Sequence, residues 1–329
     1  MIISRTPFRI TLGGGGTDLP SYYKNYGGFI FSFCLSKYMY VCLNRPSADD
    51  LIRLKYSISE TVDNVNELKH DIAKACLNRV GIDSKIEVAS LSDIPAGSGL
   101  GSSSTYTVGL LNSLYSMIGD SKTQEFLANE ACVIEMDILK KPMGKQDQFL
   151  AALGGFVVLE IDKRGNVKSR KINLDESRKN QLRENLLIFY TGQQRKNNKI
   201  LKEQDNSTKK NKKDVLDSLH YIKESGYKIL EIVENGNLDE LGLMFKEHWQ
   251  MKKKLSSGVT NSQIDSIYNI ALENGAIGGK ISGAGGGGFF TFYCNKNHQK
   301  LRNAMFSLGL RELEYSFDNS GSQIISINS

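Results

Sequence analysis

Apolar positions along the chain follow two periods. Residues 2–12 alternate as a strand interrupted at Pro7, and 29–43 form a long apolar and aromatic stretch, strand-like and long enough for a hairpin. Ile86 and Val88 alternate with polar neighbours as a short strand. Residues 156–161, 186–190 and 289–294 are continuous apolar runs of the buried-strand kind. Helical spacing takes over at 66–80 (Leu68, Ile72, Ala75, Cys76) and again through Val108, Leu111, Leu114, Tyr115 and Ile118. A helix over 123–141 ends at Pro142, and further helices are predicted near 214–234, 238–256 and 262–274. Mixed strands and helices place the chain in the α+β or α/β class. A change of texture near 180 divides it into 1–180 and 181–329, expected to be two lobes of one unit.

Composition narrows the function classes. The 329 residues are 40% hydrophobic and 24% charged, which suits a globular chain with a real core. The net charge of +6 fits an anionic substrate. The basic run at 195–213 lacks interleaved aromatics, so nucleic acid is not expected as a partner. No run of about 18 apolar residues suggests a membrane span, and the first residues do not read as a signal peptide. Five widely spaced cysteines without a CxxC read as free thiols in a reducing, cytoplasmic setting. Four scattered histidines without HExxH argue against zinc. Nothing in the sequence speaks to oligomeric state.

The chemistry lies in clustered glycines. Pro95-Ala96-Gly97-Ser98-Gly99-Leu100-Gly101-Ser102-Ser103-Ser104 runs straight into the amphipathic helix. Glycines let a ligand approach the backbone, and the helix N-terminus offers unpaired N–H groups to an anion. The serine hydroxyls are able to cap the helix, bind phosphate or ligate Mg²⁺. The P-loop string GxxxxGK[ST] is absent. A GxGxxG match at 283–288 precedes a strand, not a helix, so it is not a dinucleotide fingerprint. Glu135 shares a predicted helix face with Ala131 and Ile138, where a carboxylate needs a partner or a cation. Asp147 comes next, in a glycine-bearing loop. A phosphate cradle, a hydroxyl and two carboxylates form the set that phosphoryl transfer requires.

These residues resemble the GHMP kinases, whose members include galactokinase, homoserine kinase, mevalonate kinase and phosphomevalonate kinase. Pro7-Phe8-Arg9 with Gly16-Thr17-Asp18, the 95–104 loop, and Ile281 to Gly287 occur in the family's order. The resemblance implies a two-lobed fold, with an N-terminal α/β lobe carrying a left-handed βαβ nucleotide loop and a C-terminal ferredoxin-like α+β lobe. It implies ATP on Pro95, Gly97, Ser98, Gly99, Leu100, Gly101, Ser102, Ser103 and Ser104, and Mg²⁺ on Ser103 and Glu135. Asp147 and Arg9 would be catalytic. Gly15, Gly16, Thr17, Asp18, Asp147, Gly283, Ala284 and Gly285 would meet the substrate, with Arg195 and Lys196 taking its phosphate and Lys252 and Lys253 as further candidates. Gly14-Gly15-Gly16 stands where galactokinases have Gly-Glu-His, which argues against galactose. The run P-F-R-I-T-L-G-G-G-G-T-D-L-P instead resembles D-glycero-D-manno-heptose 7-phosphate kinases, with fucokinase domains as neighbours and a non-catalytic ATP- and sugar-binding sensor as a further alternative. The implied reaction is ATP-dependent phosphorylation of the anomeric hydroxyl of the heptose 7-phosphate.

Overall fold

The computed structural model describes residues 1–193 and 199–327. The chain opens with β1 (Ile2–Gly13), α1 (Pro20–Tyr26) and the 17-residue β2 (Gly28–Asn44). Then come β3 (Ile52–Lys55), β4 (Ser59–Val62), α2 (Asp71–Val80) and β5 (Ile86–Ser92). Helices α3 (Ser102–Met117), α4 (Gln124–Cys132) and α5 (Gln146–Leu153) come after them, with a π-helical turn at Val133–Ile138 between the last two. β6 (Phe156–Ile161), β7 (Val167–Ile172), α6 (Glu176–Asn185) and β8 (Leu186–Tyr190) lead into four helices. These are α7 (Lys199–Lys209), α8 (Lys213–Glu234), α9 (Asp239–Lys253) and α10 (Ser262–Glu273). The chain closes with β9 (Gly278–Ile281), β10 (Phe289–Tyr293), α11 (His298–Ser307), β11 (Arg311–Glu312) and β12 (Gln323–Ile327).

The larger sheet runs β12-β1-β2-β5-β3-β4, with β6 pairing β2 and β7 pairing β6. Among the described residues only β3 and β5 pair in parallel, with β4 and α2 between them in the chain. The second sheet, β11-β8-β10-β9, is antiparallel throughout. Strand β12 returns from the end of the chain to pair with β1, so the last residues belong to the first sheet.

Two expectations about strands are corrected. Residues 29–43 form one strand, not a hairpin. They contain no Gly, Pro, Asn or Asp to turn the chain, and the two halves of β2 find different partners: Gly28 to Phe33 pair with β6, and Met39 to Asn44 with β5. Strand β1 is likewise not interrupted at Pro7. Pro7 is in register with Tyr38, and the ladder shifts only between Pro7 and Arg9, where the extra residues lie on β2 between Cys34 and Tyr38.

Helix α3 lies at the centre of the main core. Its residues Ser104 to Leu111 are all buried, because it packs against β1 and β2 as well as α2, α4 and α5. A second core between the smaller sheet and α9, α10 and α11 gathers Trp249, Tyr268, Phe290 and Phe292. The helix expected over 123–141 changes pitch after Cys132. Across the π turn the Leu139 N–H bonds to Ile134 O, five residues back. That wider turn carries Ile138 off the face it was expected to share: Ala131 and Glu135 are fully buried, whereas Ile138 is about half exposed.

Candidate active site

One cavity of about 300 Å³ collects residues from both halves of the chain. Gly97, Gly99, Gly101, Ser102 and Ser103 form one wall. Helix α3 begins here behind Gly101, which is left-handed (φ 90°) and leaves the first turn without a side-chain cap. The N–H groups of that turn are therefore presented as an anion site. The hydroxyls of Ser98 and Ser102 are buried and, among the described residues, lack a partner. Ser102 lines the cavity, where its orphaned hydroxyl is what a polyphosphate would satisfy, whereas Ser98, expected to meet the nucleotide, is not among the lining residues. Pro95 is exposed, and Leu100 belongs to the main core.

Glu135, fully buried, is delivered by the π turn to the start of α3. It accepts from Ser103 Oγ at 2.5 Å, Ser104 Oγ at 2.6 Å and Gln148 Nε2 at 2.8 Å. Burial raises its pKa, and these donors act in the opposite direction. Lys141 Nζ stands 3.5 Å from Ser103 Oγ and 3.7 Å from an Asp71 carboxylate oxygen. Among the described residues no group of three or more His, Cys, Asp or Glu is placed to hold a metal ion by itself. One carboxylate and one hydroxyl suit Mg²⁺, which is commonly held by one or two carboxylates while substrate phosphates and water complete its shell.

Asp147 lies in the first turn of α5. Arg9, on β1 and almost wholly buried, donates to Asp147 Oδ1 from Nε at 2.8 Å and places Nη2 2.6 Å from the same oxygen. Its Nη1 donates to Gly99 O at 2.8 Å. The guanidinium thus joins the carboxylate to the glycine loop. The approach is tight, since a Cβ on Gly101 would stand 3.3 Å from Asp147 Oδ2.

Asp18 sits just after the Gly13 to Gly16 turn and is buried. Its Oδ2 accepts from Gln146 N at 3.1 Å, and its Oδ1 accepts from Gly16 N at 3.3 Å. Burial, reinforced by the neighbouring Asp147 charge, pushes its pKa up to about 6 against those hydrogen bonds. Gly144 closes over it: a Cβ there would lie 2.0 Å from Asp18 Oδ2. Gly15, Gly16 and Asp18 line the cavity. Thr17 does not; its hydroxyl accepts from Phe29 N and lies 2.8 Å from Gly14 O, which fixes the turn.

From the other half of the chain, Gly283 and Ala284 reach the cavity, while Gly285 packs on Val259. Lys252 lines it and donates to Ile281 O and Gly283 O, whereas Lys253 is turned toward Asp265 at 3.8 Å. Arg195 and Lys196 lie outside the described residues. Several lining residues escaped sequence reasoning: Thr11 and Gln146, hydrogen-bonded at 2.8 Å, Lys141, Gln204 and Lys280. Thr11, Gln146 and Lys280 lie within a few residues of a recognised motif, and Lys280 directly precedes the 281–287 signature. His248 also lines the cavity.

The sequence matches the GHMP kinases N-terminal domain over residues 49–155 and the GHMP kinases C-terminal domain over 229–309. It is 30% identical over 307 residues to the D-glycero-alpha-D-manno-heptose 7-phosphate kinase of Campylobacter jejuni, covering 89% of each chain. It is 26% identical to the L-fucokinase/L-fucose-1-P guanylyltransferase of Bacteroides fragilis, covering 88% of this chain and 34% of that one. Among solved structures, a D-glycero-D-manno-heptose 1-phosphate kinase from Bacteroides thetaiotaomicron superposes with a TM-score of 0.83 at 23% identity, covering both chains fully. Two matched domains, a relative similar over nine-tenths of its length and a shared fold lead to one conclusion: the chain belongs to the GHMP kinases and is a small-molecule kinase.

Proposed function

We propose that this kinase transfers the γ-phosphoryl group of ATP to the anomeric hydroxyl of D-glycero-D-manno-heptose 7-phosphate. The observation that carries the reading is the Arg9–Asp147 pair set against Gly99 and Gly101, where a carboxylate adjoins a phosphate-type loop. The Campylobacter jejuni relative supports the choice of acceptor. The product would be the 1,7-bisphosphate, an intermediate toward GDP-heptose for surface glycans.

On this reading the 97–104 loop and the α3 N-terminus hold the nucleotide phosphates. Ser103 and Glu135 would hold Mg²⁺, which when bound neutralises phosphate charge. Asp147 accepts a hydrogen bond from the acceptor hydroxyl and takes its proton as the oxygen attacks. Arg9 keeps that carboxylate oriented and offsets charge that develops on the transferred group. Preorganised charge of this type commonly supplies the largest share of such catalysis. Gly15, Gly16 and Asp18 bind the sugar hydroxyls.

The test is a panel of sugars and sugar phosphates with ATP and Mg²⁺, read as ADP release. Turnover of the heptose 7-phosphate well above fucose is expected; strong turnover of fucose with none of the 7-phosphate would move the assignment to a fucokinase. The variant Asp147→Asn should fold and bind ATP but lose about 10²–10⁴ in turnover. Wild-type turnover in that variant would remove Asp147 from the mechanism. Absence of ATP turnover on every acceptor would favour a sensor.

A further inference from the structure

The floor of the cavity holds basic groups that the transfer step above does not use. His248 and Lys252 stand one turn apart on α9, and Lys280 comes from β9. All three line the cavity. Lys280 is 4% exposed and His248 is 2% exposed. The Lys280 ammonium donates to Leu12 O and lies 4.7 Å from the Phe245 ring centroid. His248 Nδ1 is buried and has no partner among the described residues.

Among the described residues no carboxylate forms an ion pair with Lys280, in contrast to Arg9, which has Asp147. The charges that act on Lys280 and His248 are basic: Lys252 on Lys280, and both lysines on His248. Burial and this mutual repulsion push both groups well below their ordinary pKa values. A carbonyl oxygen and a ring face stabilise an ammonium but supply no countercharge. Burial without a countercharge disfavours the charged form of either group, and an apolar side chain of similar volume would fill the same space without that penalty. An entering anion would supply the countercharge that Lys280 lacks among the described residues.

We propose that Lys280 and His248 form the binding site for a phosphate ester carried by the acceptor sugar, flanked by Lys252. This deepens the kinase reading and rests on its placement of the nucleotide. The ATP phosphates have a separate cradle at Gly97 to Ser104 and α3, whereas this cluster comes from α9 and β9. A doubly charged phosphate supplies the missing countercharge, accepts from the ammonium and gives the imidazole a partner. A neutral sugar does none of these.

The experiment has two arms, each run on wild type, Lys280→Met and His248→Asn. In the first, inorganic phosphate is titrated calorimetrically into enzyme already saturated with Mg²⁺ and a non-hydrolysable ATP analogue, so that the nucleotide cradle is full. Wild type should bind phosphate, and each variant should bind at least tenfold more weakly. In the second, the ratio of kcat/KM for heptose 7-phosphate over free heptose should fall at least 30-fold in Lys280→Met, mainly through KM for the phosphorylated sugar. Melting curves verify folding; if Lys280→Met fails to fold, His248→Asn carries both arms. Folded variants with wild-type phosphate affinity and an unchanged ratio would overturn the site. So would phosphate binding that vanishes once the analogue is bound, because the ion then occupies the nucleotide cradle. If no sugar phosphate is turned over but phosphate binding still depends on Lys280, the acceptor assignment fails and the anion site stands.

Discussion

Two glycine-rich segments face each other in this molecule, and they use glycine for different ends. In the 97–101 loop, Gly97, Gly99 and Gly101 all have positive φ and all line the cavity, with a helix N-terminus behind them. In the 283–288 loop only Gly283 among the glycines lines it. The later glycines pack closely on neighbouring segments, Gly285 on the Val259 backbone and Gly286 on the Ile200 side chain, and a Cβ on Gly288 would stand 2.0 Å from Ser98 O. The element next in the chain decides the outcome for each segment. Helix α3 leaves N–H groups unspent at its start, whereas β10 spends its own on β8 and β9. On the proposed reading the first loop admits a ligand, and most of the second holds the first in place.

The sharpest way to break that contrast is Gly288→Ala. The residue has φ +99°, and the added methyl would meet a backbone carbonyl that cannot turn aside. Left-handed strain plus overpacking should cost about 3 kcal/mol or more. Thermal unfolding should therefore show a clearly lower midpoint, with turnover lost alongside it because the displaced atoms belong to Ser98. A variant as stable as wild type would show that the second loop does not brace the first.

Gly101→Ala should behave in the opposite sense. Its strain costs roughly 1–2 kcal/mol, but the new methyl lies against the Asp147 carboxylate. A misplacement of about 1 Å at a reacting group costs on the order of 10²-fold in rate. Turnover should thus fall about 10²-fold, with a smaller drop in melting temperature than Gly288→Ala shows. Equal losses of stability in the two alanine variants would erase the distinction between a ligand loop and a packing loop.

The same contrast explains what could be read from the sequence. Local signals survived: the Pro95 to Ser104 string announced a helix start, and the apolar runs at β6, β8 and β10 were plain. Asp147 and Arg9, 138 residues apart in the chain, were linked only through family resemblance, and the structure joins them through a direct ion pair braced on Gly99. Features set by distant partners stayed hidden. The π turn at Val133–Ile138 has no residue signature, so Ile138 was assigned to the buried face. Strand β12 is legible only once β1 presents a free edge. Thr17 looked like a substrate ligand because it sits between Gly16 and Asp18, but its hydroxyl is held by Gly14 and Phe29. Lys280 was passed over because one basic residue beside a glycine motif carries no local sign of burial.

The smallest expected effect tests whether Asp18 belongs to the ligand-facing side of the division. Its carboxyl is raised from 3.8 to about 6 in the folded chain. The folded state therefore holds the proton more tightly than the unfolded state between these values. By linkage the ligand-free protein gains stability from this group as pH falls from 7 to 5, by about 1 kcal/mol. A carboxylate that accepts from sugar hydroxyls must be ionised, and at pH 5 only about one-tenth of it would be. Activity should consequently fall about tenfold over the interval in which this contribution to stability rises. Other buried groups titrate nearby, so the informative quantity is the difference between wild type and Asp18→Asn. The variant should have lower kcat/KM at pH 7, lack this limb of the pH–rate profile, and lack the corresponding gain in melting temperature at pH 5. If wild type and variant share the same profile, Asp18 is a buried support for the Gly144–Gln146 backbone and the sugar is bound by other groups.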